Sequence, residues 1–206
     1  MTIELDTPHG PARVHLQPVD GATTALVLGH GAGGGVSSPD LMATTKVAIE
    51  EGISVALVEQ PYRVAGRRSP APAPQLDAAW IAVLEQLQHD QLKAHAIIAG
   101  GRSSGARVAC RTADDVKASA VLCLAFPVHP PGKAGDPSKS RLYELDAVSV
   151  PTLVVQGEND PFGMPSEGPG RTVIKVPGNH SLRNTAAITA AVAPWLSEHV
   201  ASSSPS

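Results

Sequence analysis

Apolar residues fall along this chain in short blocks, separated by longer stretches in which they recur every third or fourth position. The blocks lie at 25–28, 53–58, 95–99, 120–125, 152–155 and 172–176. A continuous apolar run, rather than an alternating one, is what a strand buried on both faces needs, so these six blocks predict a mostly parallel sheet. Between them the period changes. Residues 40–51 predict a helix with Ser38 as N-cap and Pro39 in the first turn. Residues 76–89 predict a second, with Leu76, Trp80, Val83, Leu84 and Leu87 on one face. A third begins at Ser104 and runs to about 113, rich in small residues. The last spans about 184–199 and carries Ile188, Val192, Trp195 and Leu196. Strands alternating with helices predict an α/β domain with helices on both sides of the sheet. Residues up to Val19 alternate apolar and polar, and predict antiparallel edge strands.

Two stretches carry neither period: 61–74, rich in proline and arginine, and 127–139, rich in proline, glycine and lysine. There are no internal repeats and no composition shift that marks a boundary. The expectation is one domain over 1–200, followed by a disordered tail at 201–206. A chain of 206 residues is long enough to bury a sizeable core as one unit.

Charge and composition narrow the function classes. A net charge of -3, with 17% charged and 3% aromatic residues, argues against nucleic-acid or anionic-membrane partners. Those need a basic surface or a stacking platform. The first residues lack the basic and apolar regions of a signal peptide, and no apolar run is long enough to span a bilayer. Cys110 and Cys123 fall on a predicted helix and a predicted strand, as buried small hydrophobes do. A cytoplasmic location is expected.

The candidate chemistry starts at Gly101-Arg102-Ser103-Ser104-Gly105, between the strand at 95–99 and the helix that follows. A serine in G-x-S-x-G at such a junction sits on a sharp turn that pushes its hydroxyl out at the carboxyl edge of the sheet. Both glycines are needed where a side chain would collide with neighbouring backbone. A nucleophilic serine needs a base, and the base needs an orienting acid. His180 follows the strand at 172–176, and Asp160 follows the strand at 152–155, so both leave the same edge as Ser103. The chain order is then Ser, Asp, His. Glu158 is the rival acid and His129 the rival base. Taken singly, Ser103 is also a natural helix N-cap, Asp160 a turn residue before Pro161, and His180 an ordinary loop histidine.

A glycine-rich loop, Gly29-His30-Gly31-Ala32-Gly33-Gly34-Gly35, follows the first apolar block at that edge. Its backbone N–H groups suit an oxyanion hole, with Ala32 as one donor and Ser104, beside the nucleophile at a helix N-terminus, as the other. The loop also matches a dinucleotide fingerprint through Gly29, Gly31 and Gly34, with Glu59 where a ribose-binding acid would stand. Against that alternative, a nucleotide-binding oxidoreductase, the next helix starts only near Pro39, too late to receive a pyrophosphate. The histidines show no metal-ligand spacing, and neither metal nor cofactor is expected.

Together these residues resemble a small α/β-hydrolase of the dienelactone-hydrolase-like kind. They are most like its branch with testis-expressed-protein-like and histone-acetyltransferase-complex-subunit-like relatives. The segments that carry the resemblance are the glycine loop at 29–33, the run 100–105, Gln156-Gly157-Glu158-Asn159-Asp160-Pro161-Phe162-Gly163, and Asn179-His180-Ser181-Leu182. The resemblance implies a mostly parallel sheet flanked by helices, with Ser103 as nucleophile, Asp160 as orienter and His180 as base. The dienelactone hydrolases proper carry cysteine at the position of Ser103, so their substrate does not transfer. Some relatives act as complex subunits, which keeps a non-catalytic scaffold as the alternative function.

The expectation is a carboxylesterase-like serine hydrolase acting on small ester or thioester substrates. The segment after 125 is too short for a large lid, so a minimal lid and an open site are expected. Tyr62 and Arg63, with Arg67 and Arg68 behind them, are candidate substrate contacts for an anionic group, or else part of a solvated basic loop.

Overall fold

The computed structural model describes residues 1–133 and 136–200. Its strands form one eight-stranded sheet in the order β1-β2-β4-β3-β5-β6-β7-β8. The strands are β1 (Thr2–Leu5), β2 (Ala12–Gln17), β3 (Thr24–Gly29), β4 (Ser54–Glu59), β5 (Ala96–Arg102), β6 (Ala120–Leu124), β7 (Thr152–Gly157) and β8 (Arg171–Val176). β1 and β2 pair antiparallel, and every neighbour from β4 through β8 pairs parallel. β3, β6 and β7 are buried along their whole length, and β4 and β5 nearly so, as continuous apolar runs require. β2 alternates buried and half-buried positions and β8 is partly exposed, as strands toward a sheet's margins do.

The helices are α1 (Pro39–Glu50), α2 (Pro61–Val64), α3 (Ala73–His89), α4 (Ser104–Thr112), α5 (Leu142–Asp146) and α6 (Thr185–Glu198). α3 and α4 cover one face of the sheet with a core built on Trp80, Val83, Leu84, Leu87 and Ala106. α1 and α6 cover the other, where Leu41, Val47, Ile188, Val192 and Leu196 meet Leu26, Leu28 and Leu122. Each large side chain so buried contributes about 1.5–3 kcal/mol relative to exposure.

Several local expectations need correction. β5 runs three residues beyond 99, because Gly100 and Gly101 pair with Leu122 and Cys123 and carry the ladder on to Arg102. α2 and α5 occupy ground that carried no helical period; helices of four or five residues are too short to show one. Ser38 holds the N-cap position of α1, but its hydroxyl makes no capping bond, whereas Asn184 caps α6 by accepting from Ala187 N–H at 3.1 Å. The Cys110 and Cys123 sulfurs lie 3.4 Å apart as free, buried thiols. Their mutual hydrogen bond, and burial after it, push the Cys110 thiol up and keep it protonated. No helix among the described residues is long and apolar enough to cross a membrane. The tail assigned to 201–206 lies outside the described residues.

Candidate active site

β3, β5, β7 and β8 run parallel, so the loops that leave them emerge at one edge of the sheet. Ser103 stands between β5 and α4 with φ 52° and ψ −107°, a left-handed backbone that a serine adopts only under constraint. The constraint is visible in its neighbours. A Cβ on Gly101 would lie 2.6 Å from the Gly29 carbonyl oxygen, and one on Gly105 would strike the same carbonyl. α4 thus packs backbone to backbone against the end of β3, and the turn closes over it. Ser103 N–H donates to Leu124 O at 2.9 Å, which locks the turn to β6.

The structure brings Ser103, His180 and Asp160 together. His180 Nδ1 lies 2.8 Å from Asp160 Oδ2, and His180 Nε2 lies 2.9 Å from Ser103 Oγ. Because the carboxylate can only accept, Nδ1 carries the proton and Nε2 is free to accept from the serine hydroxyl. Ser103 occupies the N-cap position of α4 but its side chain does not cap it; the hydroxyl is spent on His180. Asp160 has a fully buried side chain, while His180 is 18% exposed, so the acid is shielded and the base is reachable.

The acid is held from three sides. Asp160 Oδ1 accepts from Phe162 N–H at 2.8 Å, and Oδ2 accepts from Gln156 Nε2 at 2.9 Å as well as from His180. Gln156 is itself fully buried and also donates to the carbonyls of Phe126 and Gly163. The Phe162 ring meets the His180 imidazole edge-on, centroids 4.3 Å apart. Sequence reasoning assigned no role to Gln156, Phe162 or Arg102, although a lone amide ending the apolar strand β7 was a readable signal. Neither rival takes part: the Glu158 side chain is exposed, and His129 meets the Asp160 turn through its backbone, N–H to Phe162 O at 2.9 Å.

The glycine-rich loop abuts the nucleophile: a Cβ on Gly31 would stand 3.7 Å from Ser103 Cβ. Two side chains brace it. Gln60 N–H donates to His30 Nε2 at 3.1 Å, which forces the His30 proton onto Nδ1, where it is donated to Gly31 O at 2.8 Å. Burial holds the His30 pKa below its ordinary 6.5, with the Arg63 charge adding to it and the Gly31 bond and Glu59 opposing. Tyr62 Oη donates to Ala32 O at 2.8 Å. Burial pushes that phenol up to about 12, against the Arg63 charge, so it remains a donor. Among the described residues, the N–H groups of Ala32 and Ser104 have no hydrogen-bond partner.

The expected substrate contacts are placed differently. Tyr62 is buried with its hydroxyl committed to the loop, where it props the Ala32 peptide. Arg63 Nη1 donates to Arg67 O at 3.3 Å and closes its own turn, and Arg67 and Arg68 stand exposed. Glu59 does not wait for a ribose: it pairs with His15 at 3.2 Å and Arg13 at 3.6 Å. α1 begins only at Pro39, too far past the glycine loop to offer a pyrophosphate its N-terminus, and its first-turn Asp40 is buried against Arg102. No group of three or more His, Cys, Asp or Glu suited to a metal occurs among the described residues.

The profile described as alpha/beta hydrolase domain matches residues 22–186. No curated protein matches the sequence. The structure is similar to Est1E from Butyrivibrio proteoclasticus, at TM-score 0.77 and 15% identity over 96% of this chain and 98% of that one. It is similar to XC6422 from Xanthomonas campestris, described as an a/b serine hydrolase without lid, at TM-score 0.71 and 20% identity over 95% and 94% of the two chains. A dienelactone hydrolase from Anabaena variabilis superposes at TM-score 0.72 and 19% identity over 96% and 94%.

Proposed function

From the premise that the chain belongs to the alpha/beta hydrolase family and has its fold, we propose that it is a serine hydrolase of small carboxylic esters or thioesters. The observation that carries this reading is the continuous hydrogen-bonded chain Ser103–His180–Asp160, with the serine on a strained turn. The plain N-cap alternative for Ser103 requires a bond from its hydroxyl to the first turn of α4, and that bond is not made; Asp160 serves its turn through Oδ1 and still gives Oδ2 to His180.

In the reaction, His180 Nε2 takes the Ser103 proton as Oγ attacks the substrate carbonyl carbon. The carbonyl electrons move onto its oxygen, which is stabilised by the free N–H groups of Ala32 and Ser104. Collapse expels the alcohol or thiol, protonated by His180, and leaves an acyl group on Ser103. Water then gives a proton to His180 and attacks the acyl carbon. The acid departs and Ser103 recovers its proton. Asp160 fixes the tautomer and stabilises the transient imidazolium. Tyr62 and His30 act on the loop, keeping the Ala32 peptide oriented.

The small-substrate reading rests on the connection from β6 to β7, whose described residues carry a short 3-10 turn (Pro137–Lys139) and α5. The narrower kinship, with testis-expressed-protein-like and histone-acetyltransferase-complex-subunit-like relatives, rests on the glycine loop and the run at 100–105. The free thiols favour a cytoplasmic setting.

The test is labelling by a serine-directed fluorophosphonate, with turnover of short nitrophenyl esters. The wild-type chain is expected to react, and Ser103→Ala to lose labelling and at least about 10⁴-fold in kcat. A folded wild-type protein inert in both assays overturns the reading in favour of a scaffold that retains a hydrolase shell. Undiminished labelling of Ser103→Ala overturns the assignment of the nucleophile.

A further inference from the structure

Arg102, immediately before the nucleophile, takes no part in proton transfer, yet its guanidinium is fastened at two points beneath the site. Nε lies 2.6 Å from Asp40 Oδ2 in an ion pair whose N–H is not aligned on that oxygen, and Nη2 donates to the His180 carbonyl oxygen at 2.9 Å. Asp40, in the first turn of α1, has a side chain that is 0% exposed; that of Arg102 is 18% exposed. A carboxylate is taken wholly out of water only when a cation compensates it, and among the described residues Arg102 is the one cation paired with Asp40. The third guanidinium nitrogen lies under the glycine loop, since a Cβ on Gly31 would stand 2.8 Å from Nη1.

One side chain therefore spans four pieces of the site: the turn that carries Ser103, the loop that carries His180, the loop that carries Ala32, and the buried anchor on α1. Only a planar fork with donors on several edges does this; a lysine would neutralise Asp40 as a point charge and reach no further. The contact to His180 is to its backbone, so it fixes where the imidazole is mounted and leaves both ring nitrogens to Asp160 and Ser103. Resting on the serine-hydrolase reading above, we propose that Arg102, anchored by Asp40, is a positioning residue that sets the His180 loop and the glycine loop in register with Ser103.

The test uses the full chain with Arg102→Lys and the paired change Arg102→Met with Asp40→Leu, which removes both charges so that no carboxylate is left buried alone. Thermal unfolding, kcat and KM on a short nitrophenyl ester, and the low-field proton resonance of His180 Nδ1–H are measured for each. Both variants are expected to fold and to lose about 10–100-fold in kcat, the scale of a misplacement near 1 Å. KM should be little changed, and the low-field resonance should broaden or vanish. Asp40→Asn keeps the shape of the anchor and loosens its hold, and is expected to show the same kcat loss in smaller measure. If the Arg102 variants fail to fold, Asp40→Asn decides the matter by the same readings. Wild-type kcat and an unchanged resonance in any folded variant of the strut overturn the proposal. So does a loss expressed in KM alone, which would make Arg102 a substrate contact. A wild-type protein inert to fluorophosphonate refutes the hydrolase reading instead, and the resonance still reports whether Arg102 positions His180.

Discussion

The turn that carries Ser103 and the loop that carries His180 leave the same sheet edge and meet at 2.9 Å, but they are held in different ways. The serine turn is held by backbone. Gly101 and Gly105 lie against the Gly29 carbonyl, Ser103 N–H is tied to Leu124 O, and the left-handed φ at Ser103 follows from that closure. The histidine loop is held largely by partners distant in sequence. Arg102 grips its carbonyl, Asp160 accepts a hydrogen bond from its Nδ1–H, Phe162 lies against its ring, and Asn159 N–H reaches Gly178 O at 2.9 Å. A turn fixed by main-chain contact tolerates almost no change of residue but writes itself into a short motif. A loop fixed by side chains can be re-aimed by single substitutions, and leaves only scattered traces in the sequence.

The difference can be broken from either side. On the histidine side, Asp160→Asn leaves the shape and removes the acceptor that selects the tautomer. The fold is expected to persist while kcat falls by about 10⁴, the scale seen when a triad aspartate becomes asparagine. Circular dichroism beside nitrophenyl-ester kinetics checks this, and an activity within tenfold of wild type would mean that Asp160 is not the orienter. On the serine side, Gly101→Ala places a methyl group 2.6 Å from the Gly29 carbonyl, where neither partner is a flexible side chain. Here stability is expected to fall with activity, by about 1–3 kcal/mol or more in chemical denaturation, as for other overpacked sites. A folded, fully stable Gly101→Ala would show that the turn has slack.

The smallest effect sharpens the comparison at the glycine loop, where backbone and side chain both contribute. His30 is neutral when folded, and its pKa lies below the 6.5 it has in the unfolded chain. Above pH 6.5 both states are neutral and the full stability is present. As pH falls below that value, the unfolded state takes up a proton that the folded state refuses. Stability then drops by at most about 1.4 kcal/mol per pH unit until the folded pKa is reached. His30→Gln should flatten that part of the stability profile. An equal slope in the variant would assign it to other groups.

Much of this molecule was legible beforehand, and for a common reason. The buried strands show as apolar runs because both faces of a central parallel strand meet helices. The motif around Ser103 shows because Gly101 and Gly105 both lie against the Gly29 backbone, a contact that leaves no room for a side chain at either position. Asp160 and His180 could be named because loops after parallel strands share one edge. Tyr62 and Arg63 read as substrate contacts from their place after a strand, which gives an edge but not a direction; the structure commits the Tyr62 hydroxyl to the Ala32 carbonyl and Arg63 to the Arg67 carbonyl. Whether a phenol faces a ligand or the Ala32 carbonyl depends on a loop thirty residues earlier. Gln156 and Phe162 stood in plain view inside the motif that ends β7, and their task became visible only with the His180 ring beside them.

The sequence by itself determined the buried strands and the four longer helices, the edge at which the loops gather, and Ser103, Asp160 and His180 as candidates with Glu158 and His129 as rivals. These follow from periodicity, which acts over a few residues, and from backbone sterics, which leave glycine as a visible mark wherever main chains touch. Tertiary structure alone decided which carboxylate meets His180, what Tyr62 and Glu59 are bound to, and that the buried Asp40 reaches Arg102 across sixty-two positions of chain. Such pairings are set by the desolvation of charges that find each other only when the sheet and its helices have closed around them.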